Sequence, residues 1–482
     1  MKHFLLVCAI ASLLLQGSSV IADSKRADGM TELHWAAQKD DIGKLKQLLK
    51  AGADPKATNR YGITPLWIAC QNGSSAIVKL LLEAGADANT RQFGNETVLM
   101  TAARTGDIDC VKALLSYGAD ENAKEKRGQT AIMWAAAEGH AEVVDLLIKE
   151  GADFRTPLDG GFTPLFFSVR EGHADVVKVL LKAGADVNEA MQPKRRAGRG
   201  PQTGMTPLFM AVENGHFELA LDLVKAGANP NDQSAGYSAL HNISWARKPD
   251  SGESEEGMPP PAGSGSVDSL RFVREIVALG ADINVRIPKA PGGLGVLNRT
   301  GATPFLMAAK TADIALLKVL YELGADPNIK TADGVTPLIA AAGLGTLAAG
   351  EVAGTEDEVV EALAWLVKIG ADVNAADKNG ETAMHAAAYK NLPKAVEFLA
   401  ANGAKIEVWN QKNKHGWTPL LIAEGFRPGN FKPSFETIAA IHKVMLAAGV
   451  TPPPPTSHEG INNSDFGPRE RKYLPTAAAT SP

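Results

Sequence analysis

One phrase, Thr64-Pro65-Leu66, constrains the fold of this chain more than any other feature, because it keeps returning. It recurs as Thr163-Pro164-Leu165, Thr206-Pro207-Leu208, Thr336-Pro337-Leu338 and Thr418-Pro419-Leu420, with looser copies starting at Thr31, Thr97, Thr130, Ser238, Thr303 and Thr382. The first five starts, Thr31, Thr64, Thr97, Thr130 and Thr163, are spaced 33 residues apart. A second phrase closes most copies: Gly-Ala-Asp at Gly52, Gly85, Gly118, Gly151, Gly184, Gly280, Gly324 and Gly370, with variants at Gly227 and Gly403. Self-similarity at such a period marks a stack of supersecondary units.

Each phrase has a physical job. In Thr163-Pro164-Leu165 the threonine caps a helix and proline suits the first helical turn, where its missing N–H costs nothing. A break at Glu171-Gly172-His173 follows, then a second helix over 174–182 with Val176, Val177, Leu180 and Leu181 on one face. Gly184 ends that helix as a left-handed cap. A single unit of this kind cannot bury its apolar face, so it stacks on its neighbours.

The Thr-Pro-Leu opening, the Gly-His break and the Gly-Ala-Asp close together resemble the ankyrin repeat, over residues 29–450. The resemblance implies an all-α solenoid of about eleven helix pairs, with β-hairpin fingers and a concave face made by the fingers and first helices. It also implies a non-catalytic scaffold that binds proteins. The pattern is interrupted near 190–203, 248–266, 288–299, 343–355 and 425–433. The 248–266 loop holds few apolar anchors, so its removal is expected to change stability little. Residues 451–482, opening on a run of prolines from Pro452 to Pro455, read as a disordered tail.

Residues 1–22 read as a signal peptide. Lys2 is the basic start, Phe4 to Leu15 an apolar run too short to span a bilayer, and Ala22 the cleavage residue. Cys8 does not suit a lipid anchor, since bulky Val7 precedes it and it lies inside the apolar run. No later stretch is long and apolar enough to cross a membrane. A monomer, secreted or periplasmic and beginning at Asp23, is the expectation. The net charge of −5 argues against nucleic acid as the partner.

No serine elbow, HExxH motif or paired cysteine motif is present, so neither an enzyme nor a cofactor or metal is expected. A converging cluster of buried titratable groups would favour an enzyme instead. His140, His173 and His216 stand at one offset in their repeats, but stacked units about 10 Å apart are too distant to share an ion held at about 2 Å. In the ankyrin repeat this position supports loop backbone, as does the one held by His34, His241 and His385. Cys70 and Cys110 sit at small apolar positions and read as buried and inert, with a bond between them possible in an oxidising compartment.

Partner binding is expected at the residue four after each repeat threonine, which faces the concave side: Trp35, Ile68, Thr101, Trp134, Phe167, Met210, Asn242 and Met307. Lys39, Asn72, Thr105, Glu138, Glu171 and Asn214 make a polar rim one turn on. Tyr61, Phe93, Phe162, Met205 and Trp417 occupy finger positions that extend the strip. A protein or peptide is the preferred partner, because interfaces favour aromatic and methionine anchors. The alternative is an anionic cell-surface polymer or membrane surface, held by the basic finger Lys194-Arg195-Arg196 with Arg199.

Overall fold

A computed structural model of the chain describes residues 28–194, 203–249, 260–290, 297–347, 352–427 and 432–454. The signal peptide, Arg195, Arg196, Arg199 and most of the tail lie outside them. Among the described residues there are twenty-three α-helices and no β-strand. Twenty-two of the helices form eleven pairs, and every pair opens on one of the threonines or the serine named above.

The chain divides into two compact units. The first holds the described residues up to Asp186 together with 193–194, and contains five pairs. These are α1 Glu32–Gln38 with α2 Ile42–Lys50, α3 Pro65–Asn72 with α4 Ser75–Glu83, and α5 Val98–Thr105 with α6 Ile108–Ser116. Then come α7 Ala131–Glu138 with α8 Ala141–Lys149, and α9 Pro164–Glu171 with α10 Ala174–Lys182. The first helices α1, α3, α5, α7 and α9 pack on one another in order, and the second helices do the same behind them.

The second unit holds 187–192 and the described residues from 203 on. Its pairs are α11 Pro207–Glu213 with α12 Phe217–Lys225, α13 Ala239–Arg247 with α14 Ser269–Ala278, and α15 Pro304–Lys310 with α16 Ile314–Glu322. They continue as α17 Pro337–Ala341 with α18 Glu356–Lys368, α19 Ala383–Lys390 with α20 Pro393–Ala401, and α22 Pro419–Ala423 with α23 Phe435–Ala447. A single turn, α21 Ile406–Trp409, stands alone.

The caps work as their chemistry requires. Thr64 Oγ1 accepts from Trp67 N at 3.2 Å, and Pro65 fills the first helical position. At α10, Gly184 has φ 91° and the Schellman pair forms: Ala185 N donates to Leu180 O and Gly184 N to Leu181 O, both at 3.0 Å. Second helices carry the core on one stripe, so Val176, Val177 and Leu180 are buried.

Two features add detail to the repeat pattern. The fingers are closed turns, with Asn59 N donating to Ile63 O and Glu125 N to Gln129 O, each at 3.0 Å. Their arms are too short for a ladder, and only the isolated bridges Arg91–Thr97 and Ala376–Thr382 form. The 248–266 insertion, in turn, is anchored at both ends. Lys248 Nζ donates to Glu358 at 2.7 Å and to Ala312 O at 3.4 Å. At the far end Ser264 N donates to His216 Nδ1 at 2.9 Å and Ser266 N to Glu218 at 2.7 Å. These anchors are polar, so counting apolar residues missed them.

Candidate partner-binding face

The histidines serve the backbone. His34 Nδ1 accepts from Thr31 N at 3.1 Å, closing a capping box, while His34 Nε2 reaches Ile63 O in the next repeat at 2.9 Å. His241 and His385 repeat this arrangement with Ala302 O and Gln411 O. His140 Nε2 and His173 Nε2 reach back instead, to Arg104 O at 2.9 Å and Ala137 O at 3.0 Å. A nitrogen accepting from an N–H carries no proton, so His241 and His385 are neutral, and burial pushes the pKa of each down to about 4. Cys70 and Cys110 are free, fully buried thiols whose pKa values burial raises.

In the first unit the expected strip divides by exposure. Trp35, Trp134 and Phe162 are half-buried, whereas Ile68 and Phe167 are each 7% exposed and Thr101 is enclosed. Phe167 packs on Phe162, ring centres 5.0 Å apart, so it belongs to the core as much as to the face. At the finger tips Tyr61 is 62% and Phe93 98% exposed.

Three contributors escaped the sequence reading. Trp67, three after its threonine, is half-buried at the place histidine holds in the first repeat. Arg104 lies over the Trp134 ring at 5.5 Å and pairs with Glu96 at 3.7 Å. Arg170 lies over both Phe162 and Phe167, at 5.3 and 5.4 Å, and pairs with Glu171 at 2.7 Å. The Arg104–Trp134 contact joins successive repeats, so spacing along one helix cannot reveal it. The rim is partly structural: Asn72 Nδ2 donates to Ala37 O and Gln38 O at 3.3 Å, and Thr105 Oγ1 to Ala102 O at 2.9 Å.

In the second unit the corresponding column is enclosed. Met205, Met210, Asn242 and Met307 are each at most 4% exposed, so they offer no contact surface, while Trp417 is half-buried against His415. The insertions of this unit pack back on the repeats. Lys390 Nζ donates to Ala353 O and Gly354 O at 3.1 and 2.8 Å, holding the 343–355 insertion over the ends of its neighbours. Leu297 lies so close to Gly345 that an added Cβ there would meet its amide nitrogen at 2.6 Å.

This unit also holds a cluster of buried titratable groups. Glu381 Oε1 accepts from Tyr389 OH at 3.1 Å and Asn413 Nδ2 at 2.8 Å, and burial, then Asp377, raises the Glu381 pKa to about 7. The three side chains are 2–5% exposed and face one another, an interlock between α19 and the following finger. Among the described residues no three metal-ligating side chains converge, and no helix is long and apolar enough to cross a membrane. Lys194, the described member of the basic finger, is paired with Asp159 at 2.6 Å.

Comparison with known proteins agrees with this architecture. A three-copy ankyrin-repeat model matches residues 7–92, 33–125, 99–191 and 346–430, and a single-repeat model matches 203–235. The chain belongs to the ankyrin-repeat family. The pairs α13–α14 and α15–α16, and α17, lie between the matched stretches. The probable 26S proteasome regulatory subunit p28 of Saccharomyces cerevisiae is 31% identical over 130 residues, 26% of this chain and 50% of that protein. Human neurogenic locus notch homolog protein 1 is 33% identical over 145 residues, 30% of this chain and 5% of that protein. Alpha-latroinsectotoxin-Lt1a of Latrodectus tredecimguttatus is 32% identical over 138 residues, 29% of this chain and 8% of the toxin. The chain thus spans half or less of each of these relatives.

Proposed function

We propose that this chain is an exported, non-catalytic scaffold that binds a protein or peptide through the finger face of its first unit. One observation carries the choice of face. Large aromatic side chains stay partly or wholly in water across consecutive repeats, with Trp35, Trp67, Trp134 and Phe162 half-buried and Tyr61 and Phe93 exposed. An apolar run of this kind, rimmed by polar groups, marks an interaction surface. Export rests on the basic start, short apolar run and small cleavage residue of residues 1–22.

The test uses the native chain as bait on its own cell-envelope fraction. Truncating a central aromatic anchor commonly costs 2 kcal/mol or more, so Trp35→Ala with Trp134→Ala is expected to weaken capture by at least about thirtyfold. Replacing Lys194, Arg195 and Arg196 by alanine is expected to alter chiefly the salt dependence. Capture lost with the basic finger and kept without the tryptophans would favour the anionic-polymer reading instead.

A further inference from the structure

The finger tips of the first unit carry a second message, which concerns the chemistry of the partner. Arg60, Phe93 and Lys126 occupy the same place in successive fingers, 33 residues apart, and Tyr61 and Arg127 follow the first and last of them. The second and third tips are tied together, since Lys126 N donates to Gly94 O at 2.7 Å, and each of the three turns closes on itself. Phe93 is 98% exposed, and the Arg60 guanidinium lies 4.6 Å over the exposed Tyr61 ring. Lys126 and Arg127 are exposed and make no ion pair among the described residues. The row stops at the next finger, where Asp159 holds the equivalent place and is paired with Lys194.

From this alternation of cation and exposed ring we infer that the ledge docks an extended acidic peptide segment bearing an apolar side chain between its carboxylates. The inference rests on the protein-binding reading and names the partner's chemistry. Packed repeats stand about 8–10 Å apart, and a peptide in the extended polyproline II form advances about 3.1 Å per residue with three residues per turn, so every third residue faces the same side and meets a new finger. A carboxylate reaches Arg60, an apolar side chain covers Phe93 and Tyr61, and a second carboxylate reaches Lys126 and Arg127. Covering an aromatic ring removes on the order of 150 Å² or more from water, which supplies affinity, and the cations set direction and encounter rate. A nucleic acid strand fits less well. The Glu125 carboxylate stands beside these cations, accepting from Arg127 N at 2.7 Å, where a polymer charged at every unit meets it and a peptide with spaced charges does not.

The experiment selects peptides from a random twelve-residue display library on the full chain, with an oligothymidylate of twelve nucleotides titrated alongside. Enriched peptides are expected to combine Asp or Glu with a large apolar residue at spacings near three. Phe93→Ala with Tyr61→Ala is expected to weaken them at least about tenfold, with the unfolding transition unchanged because both side chains lie in water. Lys126→Glu with Arg127→Glu is expected to lose them and to select lysine- and arginine-bearing peptides instead. Enrichment without acidic bias, retention of the same peptides by the charge-reversed chain, or tighter binding of the oligonucleotide overturns the inference. Peptides that depend on Trp134 and not on the tips would leave the protein-binding face standing while removing the ledge from it. No enrichment at all would remove both.

Discussion

At the scale of single residues, most polar side chains that draw the eye in this chain bind their own backbone. His34, His241 and His385 each close a cap and reach a carbonyl of the next repeat, so one side chain ties two units. For His241 and His385 this has a pH signature. Their folded pKa of about 4 lies below the ordinary 6.5, so the unfolded chain binds more protons between these values. Stability is fully present above about pH 6.5 and lost as pH falls toward 4, by about 2 kcal/mol per histidine at pH 5. Glu381 works the other way: with a folded value near 7 against 4.5, its contribution is present at low pH and lost as pH rises through 7. Two histidines outweigh one carboxyl. Urea midpoints are therefore expected to fall from pH 7 to pH 5, and to fall further in Glu381→Gln, which removes the opposing group. A midpoint that rises on acidification would contradict the neutral histidine assignment.

At the scale of elements, a clamp joins consecutive repeats. The asparagine of Gly-Ala-Asp-x-Asn reaches the closing glycine of the next repeat and receives a backbone N–H in return. Asn122 Nδ2 donates to Gly151 O at 3.2 Å while its Oδ1 accepts from Asp153 N at 2.7 Å. Asn89, Asn231 and Asn374 do the same toward Gly118, Gly280 and Gly403. Lys56 stands at the equivalent position in the first repeat, and Arg155, which donates to Ala183 O at 3.3 Å and Gly184 O at 3.5 Å, has no acceptor for the return bond. Asn122→Ala is expected to cost about 1 kcal/mol, and Lys56→Ala close to nothing, by denaturant titration. The inserted loop gives a sharper test. A Cβ on Gly263 would stand 1.8 Å from Gly215 O, so Gly263→Ala must push the loop off the turn that joins α11 to α12. A loss of about 1–3 kcal/mol is expected, and a neutral result would show that the loop does not pack there.

At the scale of the whole molecule, the same column of positions has two fates. In the first unit it stays partly open, and in the second Met210, Asn242 and Met307 are enclosed. Met307→Ala is therefore expected to lower stability by about 2–5 kcal/mol, as large-to-small core changes do, and to leave partner capture unchanged. Trp134→Ala is expected to show the converse. Export makes a separate prediction, that N-terminal sequencing of natively produced protein begins at Asp23; an intact Met1 on cytoplasmic protein would refute it.

The repeat phrases determined the family, the number of helix pairs and the residue at which each pair opens. Caps, prolines at the first turn and left-handed glycines act within a few residues, so local sequence carries them in full. The asparagine clamp was not read from the sequence, because its partner lies one repeat away. What only the tertiary structure decided is which side chains water still reaches. The burial of Phe167 and Met307, the stacking of Arg104 on Trp134, and the anchoring of the insertion through Ser264 and Gly263 all join residues far apart in sequence. Exposure depends on what lies across the gap, and a periodic pattern assigns a face to each residue without saying what covers that face.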